Sequence, residues 1–555
     1  MKAIPMPSTT VAALPKLCGA DIELGNFITG VDQVGGTGFA ASRALLAEID
    51  GLPKLQNNLY GGWGAALQPH NISRPKGSGR IDLCVSTASY GYNPQDLSRC
   101  FITSNGGCAY IDLDHVELCL PEVRSAFDHV AAWHAMLRIA RIALDSANAA
   151  RPTNQRIRVL VNNSDGLGNS YGSHLNFLIS QRTFDNIFSR KPHYLQFLAS
   201  FQVSSILLTG QGKVGSENGQ PSIPYQISQR ADFFETLQGV QTTYDRPIVN
   251  SRDEPLCGQF SFDDPSASAR LHVIFFDSAI AHGSALFRVG PMQLILTLLE
   301  LGLVNPRLIL DDPLTALQCY SRDPTLKAHA ELISGERLTA LELQQLYIEE
   351  TKRYAAQGVF DGVVSRAGEI IAAWEDTLNK FANSDWMAVA RRGIDWVLKK
   401  LAIERAMEQR PELEWNSHEV KVIDHLYSSL DDDGLYWSYE ASGFVEQLVT
   451  PDRIAHFMAN PPEDTRAWTR AMLLRRAMSE NVEVDSVDWD RITFKLRGRH
   501  NWPTYRTLNL TNPLGFTQAE AQPILENSLE FAELLDGVDS LSTGEAQIPS
   551  VLSAN

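Results

Sequence analysis

VNNSDGLGNSYGSHLNFLI, residues 161–179, is the stretch from which the rest of the chain can be read. Before it, Ile157, Val159 and Val161 alternate as half-buried strand residues do. Within it, Asn163 to Asn169 carry Gly166 and Gly168 among Asn, Ser and Asp, which predicts a tight loop between two extended runs. From Ser173 the alternation resumes, so Leu175, Phe177 and Ile179 share one strand face while His174 and Asn176 share the other. An imidazole and an amide side by side suit a metal or phosphate site, or a hydrogen-bonded strand face, and the residues leave both readings open.

Two acidic strands precede this stretch in the sequence. In LCGADIELGN, residues 17–26, Asp21 and Glu23 are two apart and share a face. Like charges so placed repel unless a cation sits between them, and Mg²⁺ prefers oxygen ligands; the alternative is an exposed acidic edge strand. In AYIDLDHVELCLPE, residues 109–122, Tyr110, Asp112 and Asp114 fall on one face of a predicted strand, with Glu117 just after. A phenol and carboxylates converging beside His115 point to a metal site with an adjacent general base. Further on, Arg230, Arg252 and Arg270 recur in strand-like segments, where a guanidinium fork suits phosphate or carboxylate. The GxGxxG spacing inside ILLTGQGKVG, residues 206–215, is followed by Pro221 and Pro224 rather than by a helix. It fails the context of a dinucleotide fingerprint, and a turn between strands is expected there.

With 65 Asp and Glu against 48 Lys and Arg, the net charge is −17, which argues against a nucleic-acid partner. No run approaches the ~20 apolar residues of a membrane helix, so no membrane partner is expected. The seven cysteines form no CxxC pair, so neither a disulfide framework nor a structural zinc site is expected, and a cytoplasmic location fits. The chain is long enough for more than one domain. Residues 1–16 read as a flexible tail, 17–415 as a large α+β domain interrupted by a Gly- and Asn-rich loop at about 50–105, and 416–515 as a small C-terminal α+β domain. Residues 516–555 read as an extension disordered at its end. Helices are predicted at Gly38–Ile49 and Arg124–Ala149, from Val289 onward, and after a capping box at Thr339 and Glu342. VDWDRITFKL, residues 487–496, is predicted as a strand.

The ordered blocks GADIELG, AYIDLDHVELCLPE, NNSDGLGNSYGSHLNF, TGQGKV, SQRAD, NSRDEP, RLHVI, IDWVLKK, DDDGLY, NPPEDTRA and VDWDRITF, spanning about residues 17–515, resemble the PafA/Dop family of Pup ligases and depupylases. The resemblance implies a glutamine-synthetase-like fold, with a curved, mainly antiparallel sheet covered by helices, and ATP and Mg²⁺ as cofactors. It implies Asp112 as the catalytic carboxylate, and Asp21, Glu23, Tyr110, Glu117 and His174 at the metal site. Nucleotide contacts then fall to Trp489, Arg252, Arg270 and Arg466, and substrate contacts to Arg230 and Asn176. The activity so implied is ligation of a glutamate-type carboxylate, on a peptide or small molecule, to an amine acceptor, with a small Pup-like protein among the possible partners. A Dop-like amidase using nucleotide as a cofactor is the first alternative, and a nucleotide- or peptide-binding homologue without turnover the second. The sequence departs from the family at Asp21, Cys108, Leu175, Leu256, Ala279 and His282, several of which replace polar groups by apolar ones. The 89 positions from Glu23 to Asp112 resemble the long insertion of Dop.

Overall fold

The computed structural model describes residues 13–31, 36–51, 84–86, 100–253, 267–497 and 502–543. The loop expected at Tyr60–Gly79, Leu256 and the last twelve residues lie outside these. At the centre is strand β1, Cys18–Ile28, whose alternation of small or apolar with acidic residues gives it one core face and one polar face. Its eleven residues exchange partners along their length. Cys18–Ala20 pair with β7 (Leu175–Ser180), Asp21–Leu24 with β5 (His115–Cys119), and Gly25–Ile28 with β6 (Ile157–Leu160), all antiparallel. The sheet runs from strand Ser268–Val273 through β7, β1 and β5 to β4 (Cys108–Asp112), β3 (Cys100–Ile102) and β2 (Cys84–Ser86).

Helices Ala126–Ala149 and His282–Glu300 cover the apolar face, burying Trp133, Leu137 and Leu144 of the first against Ile22, Leu24, Leu175 and Phe177 of the sheet. The α+β architecture with an antiparallel sheet under helices is therefore as expected. The first helix starts two residues late because the Ser125 side chain caps it through Phe127 N–H, a contact worth ~1 kcal/mol. The second starts at His282 rather than near Val289, since strand Ser268–Val273 ends well before it and leaves room for the earlier turns. Thr339 and Glu342 form both bonds of the capping box that opens helix Ala340–Ala355.

Four details differ from the sequence reading. Ala109–Glu122 is a hairpin, β4 and β5 joined at Leu113 and Asp114, with Leu113 at φ 50°. Residues 487–496 turn at Asp488–Asp490 between strands Glu483–Val487 and Arg491–Arg497, so Trp489 sits on the turn. Lys16 is buried and ion-paired with Glu300, which excludes it from any loose tail. Cys100 is disulfide-bonded, a bridge the cysteine spacing did not suggest, whereas Cys18, Cys108, Cys119 and Cys319 are free.

Packing also redraws the C-terminal boundary. Val420, Tyr427, Tyr436, Ile454 and Phe457 belong to the main core. A second core gathers Leu473, Val487, Ile492, Phe494, Leu508, Leu534 and Val538, and it includes Phe101, Cys108 and Cys119 of the large sheet. The unit that begins with helix Arg466–Ser479 is thus fused to the end of the polar sheet face.

Candidate active site

The strand registers build the site row by row. Glu23 on β1 lies opposite Glu117 on β5, and Glu117 lies opposite Tyr110 on β4, so three side chains line up across three strands. Asp21 is one step along the same face, and Asp112 closes the hairpin opposite His115. Carboxylate oxygens of Glu23, Asp112 and Glu117 come within 4.8 Å of one another. The Tyr110 hydroxyl donates to Glu117. His174 immediately precedes β7; its N–H donates to Asp21 Oδ1 at 2.9 Å, and its ring lies 3.3 Å from Asp21 and 3.9 Å from Glu23.

These groups face a cavity of about 1720 Å³, which Arg246, Arg252, Arg270, Arg466 and Trp489 also line. The same wall therefore carries carboxylates, guanidinium groups and an indole. Arg270 Nη1 donates to Asn176 Oδ1 at 2.6 Å, so the amide expected to touch substrate is engaged with an arginine on the same wall. Arg466 is held by Glu122 at 2.8 Å, and Arg470 stacks over Trp489 at 4.8 Å while donating to the same carboxylate.

The electrostatics fit a cation. Burial pushes the Asp21 carboxyl up to about 7, helped by the Glu23 charge. Burial raises Glu23 too, with Asp112 adding repulsion, and Glu117 well above its ordinary range, with Asp21 and Glu23 adding theirs. His174 is pushed down by burial and by His272 and Arg230 nearby, which keeps it neutral. Carboxylates crowded out of water in this way suit a hard divalent ion with oxygen ligands.

A second group with ligand-like spacing, His134, His282 and Glu440, lies in the interior. There His282 Nδ1 is taken up by accepting from Leu448 N–H at 3.1 Å, and its Nε2 lies 3.5 Å from Glu440 Oε1.

Of the residues singled out from sequence, Asp21, Glu23, Tyr110, Asp112, Glu117, His174, Asn176, Arg252, Arg270, Arg466 and Trp489 all line the one cavity. Arg230 does not. It is fully buried, donates to the Ile274 carbonyl, and sits behind the wall near Glu23, because its backbone N–H is pinned by Ser228 and Asp277. Its assignment to substrate contact is therefore corrected. Two wall residues were missed. His272 follows Arg270 by two, so strand alternation could have revealed it; Arg246, which donates to the Ser170 carbonyl at 3.1 Å, precedes its strand and carries no periodic signal.

Among the described residues, the departures at 108, 175, 279 and 282 fall elsewhere than the cavity. Leu175 is on the core face of β7, Ala279 and His282 are in the interior, and Cys108 packs in the second core. In the 209–215 segment, a Cβ on Gly210 or Gly212 would lie 2.4 Å from Ile227 O or 1.9 Å from the Tyr225 hydroxyl. Those glycines serve close packing. The segment follows a short helix, Ile206–Thr209, rather than a strand.

Comparison with known proteins decides the family. The model of the Pup-ligase protein family matches residues 76–493. The chain belongs to the Pup-ligase family. Within it, the chain is 34% identical over 440 residues to a depupylase of Acidothermus cellulolyticus, covering 78% of this chain and 82% of that protein. It is 34% identical to the Pup deamidase/depupylase of Mycolicibacterium smegmatis, covering 72% of this chain and 76% of the relative. It is 32% identical to a Pup–protein ligase of Acidimicrobium ferrooxidans, covering 74% and 85%. Among solved structures, PafA in complex with ADP superposes with a TM-score of 0.65 at 26% identity, covering 81% of this chain and 91% of that one. The complex of Pup with its ligase PafA shares the fold with a TM-score of 0.72 at 24% identity, covering 98% and 100%. Members of this family carry the names of ligases and of depupylases, so the family is one of enzymes. Among the described residues no helix is long and apolar enough to cross a membrane.

Proposed function

We propose that this Pup-ligase family member is a nucleotide- and magnesium-dependent enzyme that hydrolyses the amide between a glutamate-type side-chain carboxyl and an amine, a reading in line with the depupylase names of its relatives. The observation that carries the chemistry is the convergence of Glu23, Asp112 and Glu117 on a cavity that also holds arginines and Trp489. Glu23, Glu117, Asp21 and Tyr110 would hold the magnesium. Bound there, it supplies charge neutralisation for phosphate oxygens. Arg252, Arg270 and Arg466 orient the phosphates, and Trp489 offers its ring to the base. Asp112, at the end of β4 beside the strained Leu113, presents its carboxylate to the amide carbonyl carbon or to the attacking water. Water adds across the C–N bond; the acyl carbon leaves as a carboxylate and the nitrogen as an amine.

Two observations favour hydrolysis. The depupylases match at 34% identity against 30 to 32% for the ligases, and the 89 positions from Glu23 to Asp112 resemble Dop. Ligation, the first expectation from sequence, is the second reading. It is supported by the fuller coverage of the ligases, up to 90% of one from Paenarthrobacter aurescens. A homologue without turnover loses its main support, since Leu175 and Cys108 are not on the cavity wall. The test is incubation with ATP, Mg²⁺ and two peptide sets, one glutamate-terminated with free amines and one carrying a terminal glutamine or an isopeptide, following ADP and product mass. Amide loss without stoichiometric ADP is the expected result. ADP formed in step with a condensed product would establish ligation instead.

A further inference from the structure

Two residues of one three-residue segment, Gly172 and His174, serve two of the acids at once. The N–H of Gly172 is aimed at the Glu23 carboxylate, and its carbonyl accepts the Glu23 N–H at 3.3 Å. The N–H of His174 holds the Asp21 carboxylate at 2.9 Å, its carbonyl accepts the Asp21 N–H at 3.0 Å, and its ring lies between the two acids. The space is closed to larger residues, since a Cβ on Gly172 would lie 2.2 Å from His174 Nε2 and 2.6 Å from Glu23 Oε1. The middle residue, Ser173, points the other way, into the interior.

There it meets Arg288. This residue is fully buried on helix His282–Glu300, and its Nη2 donates to both the Ser173 carbonyl at 3.1 Å and the Ser173 hydroxyl at 2.7 Å. Its guanidinium lies over the Trp133 ring at 4.5 Å, and Trp133 is itself anchored by donating to the Ala279 carbonyl at 2.7 Å. Nε and Nη1 have no partner among the described residues. A buried cation that leaves two donors unsatisfied is costly, and a packed apolar side chain would be cheaper for stability alone. We infer that Arg288 is a positioning residue for the cation-holding acids, fixing the Gly172–Ser173–His174 segment that orients Asp21 and Glu23. This role rests on the reading that those acids hold a divalent cation.

Two effects of Arg288 oppose each other. Its charge repels a cation, while its grip shapes the site for one, so neutral substitutions would mix them. Arg288→Lys keeps the charge and removes the planar fork that lies on Trp133 and reaches both Ser173 acceptors. The experiment is titration of Mn²⁺ into the purified full-length protein without nucleotide, with free Mn²⁺ read by electron paramagnetic resonance. Trp374→Phe, a substitution in the core away from the cavity, controls for lost stability. The expected result is a Kd raised about tenfold in Arg288→Lys, the lower end for residues that orient metal ligands, with Trp374→Phe unchanged even where its melting temperature falls as far. Ser173→Ala, which leaves Arg288 in place and removes one of its two acceptors, should raise Kd by a smaller factor and carries the test if Arg288→Lys does not fold. Parent-like Mn²⁺ affinity in these variants would overturn the role of Arg288 while leaving the cation site intact. Failure of the parent protein to bind Mn²⁺ would overturn the cation reading and this role with it.

Discussion

Replacing Glu122 with Gln should cost about 3 kcal/mol at neutral pH and about 2 kcal/mol at pH 3.5. Glu122 lies just past β5 and is nearly buried. It accepts from Arg470 Nη2 at 2.7 Å and Nη1 at 3.1 Å, and from Arg466 Nε at 2.8 Å. Arg470 also donates to the carbonyls of Gly106 and Trp489, both at 3.0 Å, so one carboxylate ties the large sheet to the C-terminal unit and to the cavity indole. Burial raises this carboxyl, but Arg470 and Arg466 outweigh it and bring it from 4.5 to about 2. Lowered that far, the carboxyl contributes about 3 kcal/mol above pH 5, in the range measured when one partner of a buried pair is removed. The folded carboxyl lies below its unfolded value, so this stability is full above the unfolded pKa and is lost as pH falls through the folded one. At pH 3.5 about 2 kcal/mol should remain. Urea unfolding of parent and Glu122→Gln at pH 7 and pH 3.5, followed by tryptophan fluorescence, measures the gap. A difference below about 1 kcal/mol at pH 7, typical of an exposed pair, or one that grows on acidification, would refute the reasoning.

Asp112→Asn should abolish turnover, in either direction of the reaction, while nucleotide affinity measured by calorimetry stays within a few-fold; undiminished turnover would remove Asp112 from the mechanism. Gly172→Ala should displace His174 and Glu23 and weaken Mn²⁺ binding by at least about tenfold, and unchanged binding would show that the segment yields at little cost. The chelator-treated protein should lose stability as pH rises from 4 to 7, because Asp21, Glu23 and Glu117 hold protons in the folded state that they release on unfolding. Mg²⁺ should then raise the melting temperature more at pH 7.5 than at pH 5, and an equal rise at both would count against these carboxylates as its ligands.

Much of the wall of this cavity could be read from strand alternation. Asp21 with Glu23, Tyr110 with Asp112, and Arg270 with His272 are each two apart, and a pleated strand must send such pairs to one side. Ordered motif blocks supplied the family, and the capping box at Thr339 marked a helix start to the residue. Local pattern has no term for which strands become neighbours or for what lies behind them. Only the antiparallel registers of β1, β4 and β5 bring Glu23, Glu117 and Tyr110 into one row from positions 94 apart at the extremes. Only packing put Arg230 behind the wall and Arg246 on it. It also carried Cys108 and Phe101 into the C-terminal core, and set Arg288 under Ser173 from 115 residues away. The difference is physical. The face a side chain takes follows from the geometry of its own backbone, whereas its neighbour is chosen by burial of apolar surface summed over the whole chain.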